Sequence, residues 1–397
     1  MFGGPHAIIS PDELIQHPCA DSVCICEGEQ VLTELSNTID SGKSFHEIEG
    51  LWTKQNGAII KNPPRKLIED LGKLPLDDKE LYYNRYPLLK NAPFKVFTVS
   101  RGCPYRCSYC CNSYLRALLK GKHLRFRPVD QVIHEIIKIR NNFPLEYVMF
   151  RSDTFTADKT WCINLLNEYK KNINMPFYAQ IVARELSEEL IQHLAHAGMT
   201  NIIFAIESGS ERIREDILHR PHISNARIVE LSRIIREHGI KITSQEMFAI
   251  PTETLDEAFM TVDLNVKIRA RMTPTILHPY LHTEIMKYYN AETISNTAGN
   301  HLTGSTPLYG KETKRIVILQ RISGWISRLP WKLYSLLKPI FRLITYIPDN
   351  PGFKFISNLN FFYVQRRLSN YAGSFLFYIR FACHAAKNIN SRHFRYK

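Results

Sequence analysis

The chain has 397 residues, 44% of them hydrophobic and 22% charged, with 18 glycines and 21 prolines. This excludes a disordered or collagen-like chain and allows a sizeable core in one large domain or two to three ordinary ones. The net charge of +13 points to an anionic partner, nucleic acid or a membrane surface, and is silent about the fold.

Residues 1–50 open on the glycine turn Gly3-Gly4-Pro5-His6-Ala7. The helix start Ser10-Pro11-Asp12-Glu13 follows, then an apolar strand ending in Cys26-Glu27-Gly28-Glu29. They read as the last strand and helix of an α/β domain whose beginning is absent. No charged leader precedes an apolar run, and no uncharged apolar stretch approaches ~18 residues, so neither a signal peptide nor a spanning helix is expected. Residues 51–92, rich in Pro and Lys, read as a linker with a hairpin over Trp52–Ile60 around Asn56-Gly57.

From Lys95 the pattern is regular. Strands are predicted over Lys95–Ser100, Glu146–Arg151, Phe177–Ala183, Asn201–Glu207, Lys241–Phe248 and Met272–Pro279. Helices alternate with them: Pro128–Asn142, Ala157–Asn172, Ser187–Ala197 closed by Gly198, one capped by Ser224 and closed by Gly239, and Leu255–Arg269. Ile202-Ile203-Phe204-Ala205-Ile206 is continuously apolar, as in parallel strands buried on both faces. Six strands alternating with helices imply right-handed βαβ units in an α/β fold, a partial (β/α)6 TIM-like barrel spanning residues 93–290, with its chemistry at the carboxyl ends of the strands.

The charge is concentrated in the tail. Residues 311–397 hold sixteen Lys and Arg against Glu312 and Asp349, a net +14, so residues 1–310 sum to −1. Across 291–397 a basic helical region is predicted, with Ile316–Ile347 and Phe353–Ala386 mixing apolar and basic residues at helical spacing. One reading is an anionic membrane interface. The other is a helical cap over the barrel with a solvated basic face. Nucleic acid is disfavoured, because no RNA-binding pattern occurs.

Nine cysteines, four of them between Cys103 and Cys111, suit a reducing cytosolic chain whose thiols serve a metal better than a disulfide framework. Cys103, Cys107 and Cys110 form C-x3-C-x2-C directly after the Lys95–Ser100 strand. Three thiolates from one short loop can hold three corners of a [4Fe–4S] cluster and leave one iron open. A zinc knuckle with Cys111 or His123 as fourth ligand is the alternative.

In this setting the motif resembles the radical S-adenosylmethionine (SAM) superfamily. The resemblance implies that the open iron chelates SAM and that the reduced cluster cleaves it to methionine and a 5′-deoxyadenosyl radical. It implies an electron donor such as flavodoxin or ferredoxin. Tyr109 matches the aromatic that approaches the adenine in that family. Asp153, in Ser152-Asp153-Thr154-Phe155, and Arg184, in Ala183-Arg184, match positions at the ends of strands in the cobalamin-type subgroup. Asp153 is a SAM contact or a helix cap, and Arg184 a carboxylate partner or a rim ion pair.

Glu207 and Ser208 match the family's Glu-Ser-Gly turn, and Gln245 is a further candidate facing the pocket. Two turns depart from the family pattern. Ala249 and Thr252 stand at usual glycines, and Leu281-His282 replaces Pro-Gly. His282 is expected on the surface or packed. Gly3-Gly4-Pro5-His6-Ala7 and Glu27-Gly28-Glu29 resemble the end of a cobalamin (B12)-binding domain, yet the subgroup's Asp-x-His-x-x-Gly element is absent. A truncated domain, or a separate B12-binding chain, is therefore expected.

The implied activity is reductive SAM cleavage, coupled to B12-type methyl transfer or to radical cyclisation of a lipid or natural-product intermediate. The expected location is cytoplasmic, at the inner face of the membrane. The alternatives are a cobalamin-independent radical SAM enzyme and a catalytically silent, membrane-attached binding subunit.

Overall fold

The computed structural model describes residues 1–290, 306, 308 and 310–368, excepting the side chains of 361–368. Near the N-terminus, strands β1 (Ser22–Cys24), β2 (Leu51–Gln55) and β3 (Ala58–Lys61) form an antiparallel sheet in the order β1-β2-β3. The β2–β3 turn is the predicted hairpin. Asn56 (φ 49°) and Gly57 (φ 79°) both take the positive φ that a two-residue turn between twisted strands needs. Helix Gly28–Asp40 buries Val31 and Leu35 against Cys24, Ile48 and Leu51.

Six parallel strands form the body: β4 (Phe94–Thr98), β7 (Tyr147–Arg151), β8 (Phe177–Ile181), β9 (Met199–Glu207), β10 (Lys241–Phe248) and β11 (Arg271–Ile276). They pair in sequential order, β4-β7-β8-β9-β10-β11, so β4 and β11 are the edges of an open sheet. A separate two-stranded ribbon joins β5 (Ser100–Arg101) to β6 (Arg125–Phe126). The predicted strand through Ser100 therefore stops at Thr98, where the chain leaves the sheet.

Helix boundaries follow local chemistry. Ser187 and Ser224 accept N–H bonds at the starts of Glu188–Ala197 and Asn225–Glu237, and Gly198 and Gly239 terminate those helices at positive φ. Asp158 caps Lys159–Asn172. One face of the sheet packs on the helices through Phe97, Phe150, Phe177 and Phe204, all fully buried. The other face lines a cavity of about 1500 Å³ with Met149, Tyr178, Ile203, Gln245 and Thr273. That alternation of side chains turns one strand set into both core and pocket wall.

Three helices follow: a first tail helix Lys311–Ile326, a second Trp331–Ile344 and a third Pro351–Leu368. The first is a core element. Ile316, Leu319, Ile322 and Ile326 pack with Phe248, Phe259, Val262 and Met272. Gln320 donates to Pro274 O at 2.8 Å and Asn360 to Met272 O at 3.2 Å, so the tail covers the open edge of β11. The part of the predicted Phe353–Ala386 segment beyond Leu368 lies outside the described residues. Among the described residues no helix is long and apolar enough to cross a membrane.

Candidate active site

The cysteine loop leaves β5 through Gly102, whose φ is 81° and whose missing Cβ would stand 2.1 Å from His123 O. Only glycine lets the loop pass the β6 side so closely. Ser108 then pins it, donating its N–H to Leu218 O at 3.0 Å and its hydroxyl to Ile217 O at 2.5 Å. Arg116 donates to Cys103 O from the other side.

Cys103, Cys107 and Cys110 are free thiols. Burial pushes Cys103 up to about 11. Burial also raises Cys107, against the pull of the Arg220 guanidinium 3.9 Å away. Ligation of a metal would remove the protons from these thiols.

Among the described residues no three Cys, His, Asp or Glu side chains converge as the ligands of a single ion do. His123, a candidate fourth zinc ligand, instead bonds Leu119 O at 2.9 Å. A cubane places its three thiolates on three different irons and needs no such convergence. The donor set of three free thiols on one pinned loop fits it.

Glu207 ends β9 at the cavity wall. Ala205 pairs with Gln245 and Glu207 with Glu246, so Ile206 has no counterpart on β10, and the bulge is followed by φ 71° at Glu207. Tyr109 donates its hydroxyl to Glu207 Oε1 at 2.9 Å. Burial pushes the Glu207 carboxyl up, while Arg220 at 3.9 Å and the Tyr109 bond pull it down. Arg220 also donates to Ala205 O and reaches Tyr109 Oη at 3.4 Å. One buried guanidinium thus links a cysteine of the loop, the aromatic beside the third cysteine and the Glu-Ser-Gly carboxylate. It follows a single π-helical turn, Ile213–Ile217, a local feature common at functional sites.

The other predicted residues divide. Gln245 and Asp153 line the cavity, and Asp153 is exposed while Asp158, not Asp153, caps the next helix. Ser208 is fully buried, and its hydroxyl accepts from Ser210 N–H at 3.2 Å, closing the turn. Gly209 completes that motif, since a Cβ there would lie 2.3 Å from Met260 O. Arg184 is exposed and is not among the cavity-lining residues. Its neighbour Glu185 is the organising group instead. It accepts from Tyr105 at 2.8 Å and from Thr154 and Thr156, tying the cysteine loop to the end of β7.

Glu27 does the same for the N-terminal sheet. Arg101 and Arg125 donate to it at 2.9 and 2.8 Å, and Ile68 N–H at 2.8 Å. Burial raises its carboxyl, but those bonds outweigh burial and hold it below the usual range. Sequence reasoning missed Glu185, Glu27 and Arg220. Glu27 alone carried a signal, as part of the quoted Glu-Gly-Glu segment.

The positions that depart from the family's glycines keep glycine-like backbone. Ala249 (φ 55°), Thr252 (φ 66°) and His282 (φ 64°) all lie in the left-handed region. Strain of about 1 kcal/mol each is retained in these turns. His282 is exposed and stacks on Tyr114 with ring centroids 4.9 Å apart.

Parallel βα units, a cysteine loop at the end of the first and a carboxylate at the end of the fourth define a radical SAM arrangement. Residues 97–264 match the Radical SAM superfamily. It is 28% identical over 291 residues to an uncharacterized methyltransferase, PH0819, of Pyrococcus horikoshii, covering 72% of this chain and 62% of that one. It is 23% identical over 282 residues to cytidylyl-2-hydroxyethylphosphonate methyltransferase of Streptomyces wedmorensis, covering 63% and 52%. The chain thus spans about half to three-fifths of the length of these relatives. Its fold is similar to that of the radical SAM methyltransferase TsrM of Kitasatospora setae, with TM-score 0.62 and 16% identity over 90% of this chain and 80% of that one.

Proposed function

We propose that the chain is a radical SAM methyltransferase in which Cys103, Cys107 and Cys110 hold a [4Fe–4S] cluster and Glu207, Asp153 and Gln245 line the SAM and substrate pocket. The observation that carries this reading is the Cys107–Arg220–Tyr109–Glu207 network, which joins the loop to the pocket carboxylate. When bound, the cluster and SAM supply the one-electron cleavage of a sulfonium; a flavodoxin or ferredoxin supplies the electron.

The chain's own residues orient and shield. Tyr109 and Arg220 hold Oε1 of Glu207, so the carboxylate stays fixed as an acceptor for an ammonium group. Arg220 compensates its charge where water is excluded. Ser208 and Gly209 lock the turn beneath it.

Similar sequences include two methyltransferases, at 28% and 23% identity, and two cyclases, at 22%; the higher identity of the first pair favours methyl transfer over radical cyclisation. The TsrM structure is described with cobalamin and a [4Fe–4S] cluster bound. Here Pro5, Ile8 and Glu27 to Glu29 form part of the cavity wall, which supports residues 1–50 as the end of a cobalamin-binding unit. We read 51–92 as its linker, 93–290 as the barrel and 291–397 as the basic region, acting on a lipid or natural-product intermediate at a membrane surface.

Anaerobic reconstitution with iron and sulfide tests the reading. The chain is expected to take up a cluster and, once reduced, to convert SAM to 5′-deoxyadenosine or S-adenosylhomocysteine. Alanine at Cys103, Cys107 or Cys110 is expected to abolish iron uptake, and Cys111→Ala to retain it. A reconstituted cluster that never consumes SAM leaves the silent binding subunit. Turnover without retained or added cobalamin selects the cobalamin-independent enzyme.

A further inference from the structure

We infer that the second tail helix, Trp331–Ile344, docks in the plane of an anionic lipid surface through Leu333, Leu336, Ile340 and Leu343. This rests on the peripheral-membrane reading above and assigns it to one helix face. At 3.6 residues per turn these four side chains fall within an arc of about 80°. All are exposed, Leu336 at 74% and Leu343 at 67%.

The body holds most of the opposite face, with Trp331 at its end left 43% exposed. Tyr334 and Lys338 donate to Asp263 at 2.7 Å, Arg342 bonds Asp256, and Phe341 and Ile344 pack on the core. The body holds the helix by its polar edge and turns leucines outward, the reverse of a helix that serves a core.

Charge complementarity selects the occupant. The tail's two acids are both used inside the protein, Glu312 accepting Leu255 N–H at 2.9 Å and Asp349 pairing with Arg321 at 3.5 Å. Lys311, Lys314 and Lys332 make no ion pair among the described residues. The apolar stripe and the excess of unopposed lysines match an anionic bilayer interface, with its acyl boundary and its headgroups.

The test is flotation of the full chain with vesicles of phosphatidylglycerol and phosphatidylcholine, against phosphatidylcholine alone, comparing wild type with Leu336→Glu/Leu343→Glu. The expected result is flotation with the anionic vesicles only, and about tenfold or greater loss in the variant. The variant's thermal midpoint and anaerobic SAM cleavage should be unchanged, because both positions are exposed and remote from the cysteine loop in sequence.

A wild type that floats and a variant that floats equally would overturn the helix assignment and leave the peripheral reading standing. A wild type that never floats removes both. Dimers by light scattering that the variant converts to monomers, without vesicle binding, assign the face to a second copy and overturn the inference. So does vesicle binding that appears only when residues 369–397 are removed.

Discussion

The rim of the cavity and the layer behind β11 are built by opposite rules. At the rim Glu207 holds positive φ, as do Ala249, Thr252 and His282 in the turns after β10 and β11, and a carboxylate, a guanidinium and cysteine thiols share one buried patch. Behind β11, the first tail helix is regular and buries Ile316, Leu319, Ile322 and Ile326. Local strain and desolvated charge cost stability, so a protein tolerates them where they position chemistry. The tail layer supplies apolar burial and covers a sheet edge, which offsets such costs.

The sharpest way to break this contrast is Arg220→Gln. Removing one partner of a buried charge cluster costs about 3–5 kcal/mol, read by chemical denaturation. The same change should impair reduction of a reconstituted cluster, followed by electron paramagnetic resonance, which a purely structural arginine would leave intact. Leu319→Ala comes next, with a loss of about 2–4 kcal/mol and no effect on cluster uptake. Leu336→Ala, on the neighbouring helix, should stay within about 0.5 kcal/mol. Equal losses at the two leucines would remove the distinction between core helix and surface helix.

Glu246 sharpens the comparison through pH. It is 1% exposed on β10, and burial pushes its carboxyl up to about 8. A carboxyl whose folded pKa is raised favours the folded state below pH 4.5 and loses that contribution as pH rises toward 8. The advantage of Glu246→Gln over wild type should therefore grow by up to about 1.4 kcal/mol per pH unit across this window, visible as a widening gap in thermal midpoint. A gap that stays constant would show that Glu246 is not protonated in the fold. A small effect of opposite sign is Thr252→Gly, a gain of about 1 kcal/mol in thermal stability from relief of a β-branched residue at φ 66°.

Much of this was legible in the residues. The Asn56-Gly57 turn, the Ser187 and Ser224 caps and the Gly198 and Gly239 stops each depend on chemistry within a few positions, and the structure shows each of them. The C-x3-C-x2-C loop was legible for the same reason. Arg220 was not, because its partners are distant in sequence: Cys107 lies 113 residues away and Tyr109 111. Arg184 drew attention where Glu185 does the bridging, since a strand-end motif locates a turn without saying which side chain faces inward.

The sequence by itself determined the alternating strands and helices, the three-cysteine loop and the segregation of positive charge, all properties of local spacing and composition. Only the tertiary structure decided which charges neutralise one another, which carboxyls are buried, and how the tail divides. Its first two helices mix the same apolar and basic residues. One lies against the bare edge of β11 and becomes core, while the other is held by Asp256 and Asp263 with its leucines outward. Burial is a property of what packs against a residue, and no local pattern contains that partner.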